Sequence, residues 1–97
     1  LKNAAIDAVT TGNPVVAESS PFAGQANVTI DGNDQTITVS SQHVYTVVGA
    51  DENGVTLTNP WGYNQTTTKG KKAGATFTMS WADFYANFGD VTVGQIP

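Results

Sequence analysis

Apolar residues recur along the chain with two different periods. In residues 1–11 they lie three or four positions apart, which is the spacing of one helix face. Gly12 follows where a helix C-cap belongs, and Asn13-Pro14 cannot continue a helix. We therefore predict a short N-terminal helix. Its apolar stripe consists of Leu1, Ala4, Ala5, Ala8 and Val9.

Most of the following chain has the pattern of β-strands. Residues 14–17 form a short, apolar and β-branched segment, which predicts a buried strand. Residues 28–39 alternate on both sides of an Asp-Gly-Asn-Asp turn, which predicts a hairpin. Residues 42–48 are apolar on both faces, as in a central strand. Asn53-Gly54 favours a tight primed turn. The strand after it, residues 55–59, presents Val, Leu and Asn on one face.

The last third of the chain predicts one more helix between short strands. Residues 60–74 are rich in Gly, Thr and Lys and are predicted to be irregular, whereas residues 76–79 form a strand. Ser80 and Asp83 resemble a capping box before a helix over residues 80–88. Gly89 is expected to cap that helix. Its apolar face, and the residues that suggest a closing strand, are Trp81, Phe84, Tyr85 and Phe88, then Val91, Val93 and Ile96.

These elements predict an α+β fold class. We expect a curled antiparallel β-sheet or barrel that carries one short helix near each end of the chain. Ninety-seven residues are enough for one domain with a modest core. Residues 1–97 are therefore predicted to form a single structural unit.

Composition narrows the classes of function. The 97 residues contain no cysteine and one histidine, so they hold no disulfide, thiol nucleophile or multi-histidine metal site. A net charge of −4 argues against a nucleic-acid partner, and no apolar run is long enough for a membrane span. We expect no cofactor. The many Thr, Gly and Asn residues favour a secreted or surface protein, and Asn27 and Asn64 begin glycosylation sequons.

Two segments stand out as candidates for chemistry. His43 begins the predicted central strand, in His-Val-Tyr-Thr-Val, and Asn59-Pro60-Trp61-Gly62 follows the next turn. Together they resemble the C-terminal, histidine-bearing subdomain of calpain-like cysteine peptidases in the papain-like superfamily. That family has a His-Ala-Tyr-Ser-Val type strand and then Asn-Pro-Trp-Gly. Residues 77–84 (Phe-Thr-Met-Ser-Trp-Ala-Asp-Phe) also resemble a calpain block, so the likeness covers nearly the whole chain.

The resemblance implies the C-terminal half of a papain-like fold, with His43 as catalytic base and Asn59 as its orienter. In such peptidases an adjacent imidazolium lowers the pKa of the thiol, and the histidine later protonates the leaving amine. A third group holds the other ring nitrogen, and an amide does this without adding charge. Trp61 would cover the Asn–His hydrogen bond, and Gly62 would let the backbone pass close to the indole.

The family's cysteine and oxyanion-hole glutamine belong to an N-terminal subdomain that these 97 residues do not include. The resemblance thus implies part of a cysteine endopeptidase that cleaves polypeptides with that subdomain as its partner, and we predict that this chain alone is inactive. Calcium-regulated calpains bind Ca²⁺ through acidic residues after the tryptophan. Between Trp61 and Trp81 there is no Asp or Glu, and Lys69, Lys71 and Lys72 lie there instead. No metal site is expected.

Two other classes stay open. The chain could be a non-catalytic calpain-like module for recognition or scaffolding, or a β-rich surface or adhesion domain in which the motif arose by chance. The residues upstream of Leu1 would separate these classes, because an enzyme needs a cysteine there. Without its partner the chain should also expose an apolar cleft face, which favours instability, dimerisation or domain swapping.

The simplest hairpin does not bring the two candidate side chains together. A two-residue turn at Asn53-Gly54 pairs Val48 with Asn59. His43 would then lie five residues beyond the partner of Asn59. Contact between them requires a longer turn, a bulge or strong strand curl.

Overall fold

The computed structural model describes residues 2–94, which form two short helices and seven strands. All strand pairings are antiparallel and join one sheet with the order β3-β2-β6-β5-β4-β1-β7, in which β3 also pairs with β5. The elements are α1 (Lys2–Thr10), β1 (Val15–Ser19), β2 (Gln25–Ile30), β3 (Asn33–Thr38), β4 (Val44–Asp51), β5 (Gly54–Thr66), β6 (Lys72–Met79), α2 (Trp81–Asn87) and β7 (Phe88–Val93).

The predicted fold class is wrong. Strands account for 56% of the structure and helices for 17%, so it is mostly one antiparallel sheet, not an α+β fold with a curled sheet or barrel. The expectation of half a papain-like fold is overturned with it. The main error lies in residues 60–74, where β5 continues to Thr66 and β6 begins at Lys72. Threonine suits a pleated strand. The neighbouring strands supply the backbone hydrogen bonds, which the polar composition of the segment does not predict.

The predicted N-terminal helix is confirmed over Lys2–Thr10, with its cap, and the predicted contribution of Leu1 lies outside the described residues. Gly12 has a φ of 82°, a left-handed conformation that glycine adopts without a Cβ penalty. Its N–H donates to the Val9 carbonyl at 3.1 Å, and the Asn13 N–H donates to the Ala8 carbonyl at 2.9 Å. These two bonds form a Schellman motif and satisfy the last carbonyls of α1. The buried residues Ala5 and Ala8 face the sheet.

The second helix begins as predicted but ends differently. The Ser80 hydroxyl accepts the Asp83 N–H at 3.1 Å, as an N-cap should. The helix ends at Asn87, with Phe88 and not Gly89 as its C-cap, and the chain passes directly into β7. The expected contribution of Ile96 to the closing strand lies outside the described residues. Neither helix in residues 2–94 is long and apolar enough to cross a membrane.

The core is built from rows of side chains that cross the sheet. Val15 pairs with Val47, Val47 with Leu57, and Leu57 with Phe77, and all four are buried. Successive residues of a strand face opposite sides, so the neighbouring positions form a row on the other face. That second row consists of Val16, Thr46, Thr58 and Thr76.

The two predicted tight turns have different outcomes. In the β2–β3 hairpin, Asp31 and Gly32 both have positive φ, as a primed two-residue turn requires. The β4–β5 turn closes instead with Asp51 opposite Gly54, and neither intervening residue has positive φ. The Asp51 carboxylate accepts the backbone N–H of Asn53 at 2.8 Å and of Gly54 at 3.1 Å. The prediction of a primed turn at Asn53-Gly54 is therefore wrong.

Gly54 is needed for close packing and not for a left-handed conformation. A Cβ at this position would lie 2.5 Å from the Met79 carbonyl oxygen. Backbone cannot yield as a flexible side-chain end can. We therefore predict that Gly54→Ala lowers the free energy of unfolding by about 1–3 kcal/mol or more, as overpacked sites do.

Urea unfolding monitored by tryptophan fluorescence measures this change. Gly24→Ala is the matched control, because a Cβ at Gly24 meets nothing within 4 Å and its φ is not positive. The control should change stability little. Equal stabilities of the two variants would contradict the assigned role of Gly54.

Candidate functional site

The register of β4 and β5 brings His43 close to Asn59. The displaced turn shifts the register, and a bulge at Val48 shifts it again. The last pair before the motif is Thr46 with Thr58. Extending this register by one position puts Asn59 two residues from His43 across the sheet, where the simple hairpin put it five residues away. Diagonal neighbours at this offset are within reach of long side chains.

The Asn59–Gly62 motif is itself an irregularity in β5. The β5–β6 pairing moves from Thr58 with Thr76 to Tyr63 with Gly74. Five steps along β5 thus correspond to two along β6, so β5 contains three extra residues. Gly62 has a φ of 84°, which explains the need for glycine there. The motif bends out of the ladder, as bulges near functional sites often do.

His43 and Asn59 form a hydrogen-bonded pair. Nε2 of His43 lies 3.0 Å from Oδ1 of Asn59, and Asn59 is 3% exposed. The same Oδ1 accepts the backbone N–H of Trp61 at 3.0 Å. An amide oxygen can accept but not donate, so Nε2 must carry a proton and the neutral ring keeps its lone pair on Nδ1.

Two aromatic rings hold the imidazole in place. The Trp61 indole lies over it, with ring centroids 4.1 Å apart and planes 33° apart. Tyr45 meets it edge-on at 4.9 Å. Trp61 remains 48% exposed whereas Tyr45 is fully buried. The indole therefore covers the partly exposed His43 on its outer side, while the phenol supports it from the core.

A second asparagine extends the pair into the protein. Nδ2 of Asn59 donates to Oδ1 of Asn64 at 3.2 Å. Asn64 in turn donates to the carbonyl oxygens of Gly74 at 2.7 Å and Ala75 at 3.0 Å. Asn64 is 1% exposed, so this polar chain is shielded from water, where hydrogen bonds are electrostatically stronger.

The backbone of His43 is anchored from the other side by Ser19. The buried Ser19 hydroxyl accepts the His43 N–H at 2.9 Å and donates to the Ser40 carbonyl. The Ser19 N–H also donates to the His43 carbonyl at 2.9 Å. Gln42 just before has a φ of 50°, in the left-handed region. These contacts fix the position of the His43 backbone between the turn and the start of β4.

Sequence reasoning missed both supporting residues. A signal for Ser19 existed, since Val15, Ala17 and Ser19 alternate onto one buried face. No such signal existed for Asn64, because it lies five residues after Asn59 and would face the opposite side of a regular strand. The three extra residues reverse that parity. Asn64 also begins a sequon, yet its burial removes it as a glycosylation acceptor in the folded chain.

A large groove lies elsewhere on the surface. It has a volume of about 820 Å³ and is lined by residues that do not include His43, Asn59 or Trp61. Asp34, Asp51 and Asp83 contribute to its polar wall. Volume alone would point to this groove, but the His43 surroundings hold the single histidine of the chain between an amide oxygen and two aromatic rings. We therefore take the His43–Asn59 pair as the candidate site.

Within residues 2–94, no group of three or more His, Asp or Glu side chains is arranged to hold a metal ion. The lysines after the motif lie around a smaller pocket of about 220 Å³. Lys72 places its ammonium 4.2 Å from the Tyr63 ring centroid, a cation–π contact. Lys72 therefore contacts β5, although it is exposed like Lys69 and Lys71.

This site is a histidine held by an amide oxygen under an indole on a β-sheet. Comparison with family models gives the class of the chain: the model described as "Peptidase_C39 like family" matches residues 1–89. The chain belongs to this family, which is related to the papain-like cysteine peptidases. Comparisons with curated proteins and with solved structures gave no significant match.

The Ser19 anchor yields a stability prediction. Ser19→Ala leaves the His43 N–H and the Ser40 carbonyl without their side-chain partner. Leaving a buried polar group unsatisfied costs about 1–3 kcal/mol, and we expect a loss of that size in the free energy of unfolding. Ser41→Ala is the control, because Ser41 is exposed. Chemical denaturation of both variants checks this, and a Ser19→Ala protein as stable as the control would refute the anchor.

Tyr45 yields a pH prediction. Burial raises the pKa of its hydroxyl above the ordinary tyrosine value, although hydrogen bonds with Ser40 act in the opposite direction. The unfolded chain therefore ionises Tyr45 first. The contribution of Tyr45 to the free energy of unfolding is fully present below the ordinary tyrosine pKa of about 10, and it is lost as pH rises through the higher pKa of the folded state.

The test compares unfolding free energies at about pH 8 and about pH 11. Tyr45→Phe should be less stable at the lower pH, because the Ser40 N–H loses its acceptor at 3.1 Å. It should also lose less stability between the two pH values. Tyr85→Phe is the control, since Tyr85 is 50% exposed. An alkaline loss in Tyr45→Phe as large as in the wild type would contradict the assignment.

Proposed function

We propose that this chain supplies the general base His43 and its orienting residue Asn59 to a cysteine endopeptidase whose thiol lies outside the 97 residues. The observation that carries the proposal is the 3.0 Å contact between Nε2 of His43 and Oδ1 of Asn59. It directs the proton to Nε2 and leaves Nδ1 for the thiol. Membership in a peptidase-related family supports the same reaction class.

The two ring nitrogens divide the work. Nδ1 takes the thiol proton, and the resulting thiolate attacks the scissile carbonyl. The imidazolium then gives that proton to the leaving amine, and a thioester remains on the cysteine. Water attacks the thioester as Nδ1 accepts one of its protons, and the acid product and free thiol are released. The proton on Nε2 stays there throughout the cycle and remains hydrogen-bonded to the Asn59 side-chain oxygen.

Asn59 suits this cycle because it is neutral. A carboxylate in its place would add a negative charge next to the imidazole, whereas an amide fixes the ring without changing the net charge of the thiolate–imidazolium pair. Trp61 keeps water from the Asn59 amide and from one face of the ring. The Asn-Pro-Trp-Gly segment supports a calpain-like version of this arrangement, in which the orienting amide and its indole cover lie in one motif.

The thiol and an oxyanion-stabilising group must come from a partner segment that meets the sheet beside His43. Two exposed aromatic side chains support such a docking region. Trp61 is 48% exposed and Phe22 is 91% exposed. Phe22 lies in the turn whose Ser20 carbonyl accepts the Gln42 N–H at 3.4 Å, immediately before His43. We propose that a cysteine-bearing subdomain covers these rings, and that a polypeptide substrate lies between the two parts.

A second candidate function rests on a different observation. The groove of about 820 Å³ is separate from His43, and the chain contains no cysteine. A non-catalytic module that binds a partner through that groove would keep the fold without needing the pair. It predicts that His43 can be replaced without loss of function.

The test uses the chain with its native upstream segment and a fluorogenic peptide mixture. If the proposal is right, cleavage depends on a cysteine, and His43→Ala lowers kcat/KM by at least about 1,000-fold, since removing one member of such a triad removes most of the rate. Asn59→Ala should have a smaller effect, because the base remains.

The matched control is Val44→Ala, next to His43 on β4 with an exposed side chain. It should leave kcat/KM nearly unchanged. Cleavage that survives His43→Ala at the wild-type rate would refute the proposal and favour the binding module.

A further inference from the structure

We propose that Asn64 is a positioning residue for this site: it fixes the amide of Asn59 and thereby the tautomer of His43. This inference rests on the proposed function for its catalytic consequence. Its structural part concerns only the hydrogen-bond chain from the Gly74 and Ala75 carbonyls to His43. That part can be tested on the 97-residue chain alone.

The orientation of Asn64 is settled by its surroundings. Two backbone carbonyl oxygens, of Gly74 and Ala75, lie 2.7 Å and 3.0 Å from its Nδ2. A carbonyl can only accept, so the NH₂ group and not the oxygen must face them. The side-chain oxygen of Asn64 is therefore directed toward Asn59.

That oxygen determines the orientation of the next amide. Asn64 Oδ1 accepts from Asn59 Nδ2 at 3.2 Å, so the NH₂ group of Asn59 points inward. Its oxygen points to His43, and the backbone N–H of Trp61 holds the same oxygen. The Asn59 amide is thus held at both ends, by Asn64 through nitrogen and by Trp61 through oxygen.

The chain ends by selecting one form of the imidazole. With an acceptor opposite Nε2, the neutral ring carries its proton there and offers the Nδ1 lone pair. If Asn59 rotated by half a turn, its NH₂ group would face Nε2 and favour the other tautomer. That tautomer has a proton on Nδ1 and cannot accept one from a thiol. Asn64 opposes this rotation.

The single histidine of the chain makes the test direct. Nitrogen-15 NMR of His43, at a pH where the ring is neutral, measures the ratio of the Nε2–H to the Nδ1–H tautomer. We expect Asn64→Ala to lower this ratio about fivefold, the effect of one ordinary hydrogen bond. The loss should be partial because Trp61 still holds Oδ1. Asn59→Ala should lower the ratio further.

Asn87→Ala is the matched control. Asn87 is also buried, donates to the Asp83 carbonyl at 2.9 Å and accepts the Gly24 N–H at 3.0 Å. Its removal should destabilise the fold without changing the tautomer ratio. An unchanged ratio in Asn64→Ala, or an equal change in both variants, would overturn the inference.

A measurement on the wild-type chain covers the case in which Asn64→Ala does not fold. The side-chain NH₂ protons of Asn64 and Asn59 should exchange with solvent far more slowly than those of the exposed Asn53, because the former are buried and bonded. Fast exchange at Asn64 would overturn the proposal without any variant.

The activity of the longer protein separates the two proposals. If both hold, Asn64→Ala lowers kcat by less than the fivefold change in the tautomer ratio, because the Nε2–H form predominates in the wild type, and it changes KM little, since substrate does not touch Asn64. A tautomer change without any peptidase activity would refute the proposed function and keep the positioning role. Activity that depends on His43, together with a tautomer ratio that Asn64→Ala leaves unchanged, would refute the positioning role and keep the proposed function.

Discussion

The site depends on three extra residues in β5. Because Asn59–Gly62 leaves the β5–β6 ladder, Asn59 and Asn64 can face the same side although five positions separate them. The same departure places the Trp61 indole over His43. A regular strand with this sequence would point the two amides to opposite faces. The irregularity therefore brings the Asn59 amide and the Trp61 indole onto one imidazole ring, and it places Asn64 behind the amide.

The sheet compensates for that irregularity on both sides of it. Before the bulge, the buried row through Val47, Leu57 and Phe77 holds β4, β5 and β6 in register. After it, the pairing resumes at Tyr63, and the buried Asn64 has its donors satisfied by β6 carbonyls. No buried side-chain polar atom within residues 2–94 lacks a hydrogen-bond partner. A bulge that left such atoms unsatisfied would be costly. Here the β6 carbonyl groups bind Asn64, and Asn64 supports the Asn59 amide.

The sequence predicts an element of this structure when local residue preferences determine it, and it fails when pairing between distant strands determines it. The α1 helix and its Gly12 cap, and the turn at Asp31-Gly32, follow from local preferences and were predictable. The β4–β5 turn was not, because Gly54 is selected by the nearby Met79 carbonyl and not by its own φ. The fold class failed for a similar reason: the polar residues 60–66 and 72–74 belong to strands only because β5 and β6 pair with each other.

The candidate pair was predictable from motif order, and its support was not. His43 and Asn59 stand out because a base and a neutral orienting amide are chemically recognisable residue types. The residue types of Ser19 and Asn64 do not identify them as part of a site. Ser19 contacts His43 because of the turn before His43, and Asn64 contacts Asn59 because of the bulge after Asn59. Ser19 acts on the His43 backbone and Asn64 acts on the Asn59 amide, so the ring is constrained from two independent directions. In the proposed function His43 alternates between accepting and donating a proton at Nδ1, and these two constraints would keep its position fixed while its charge changes.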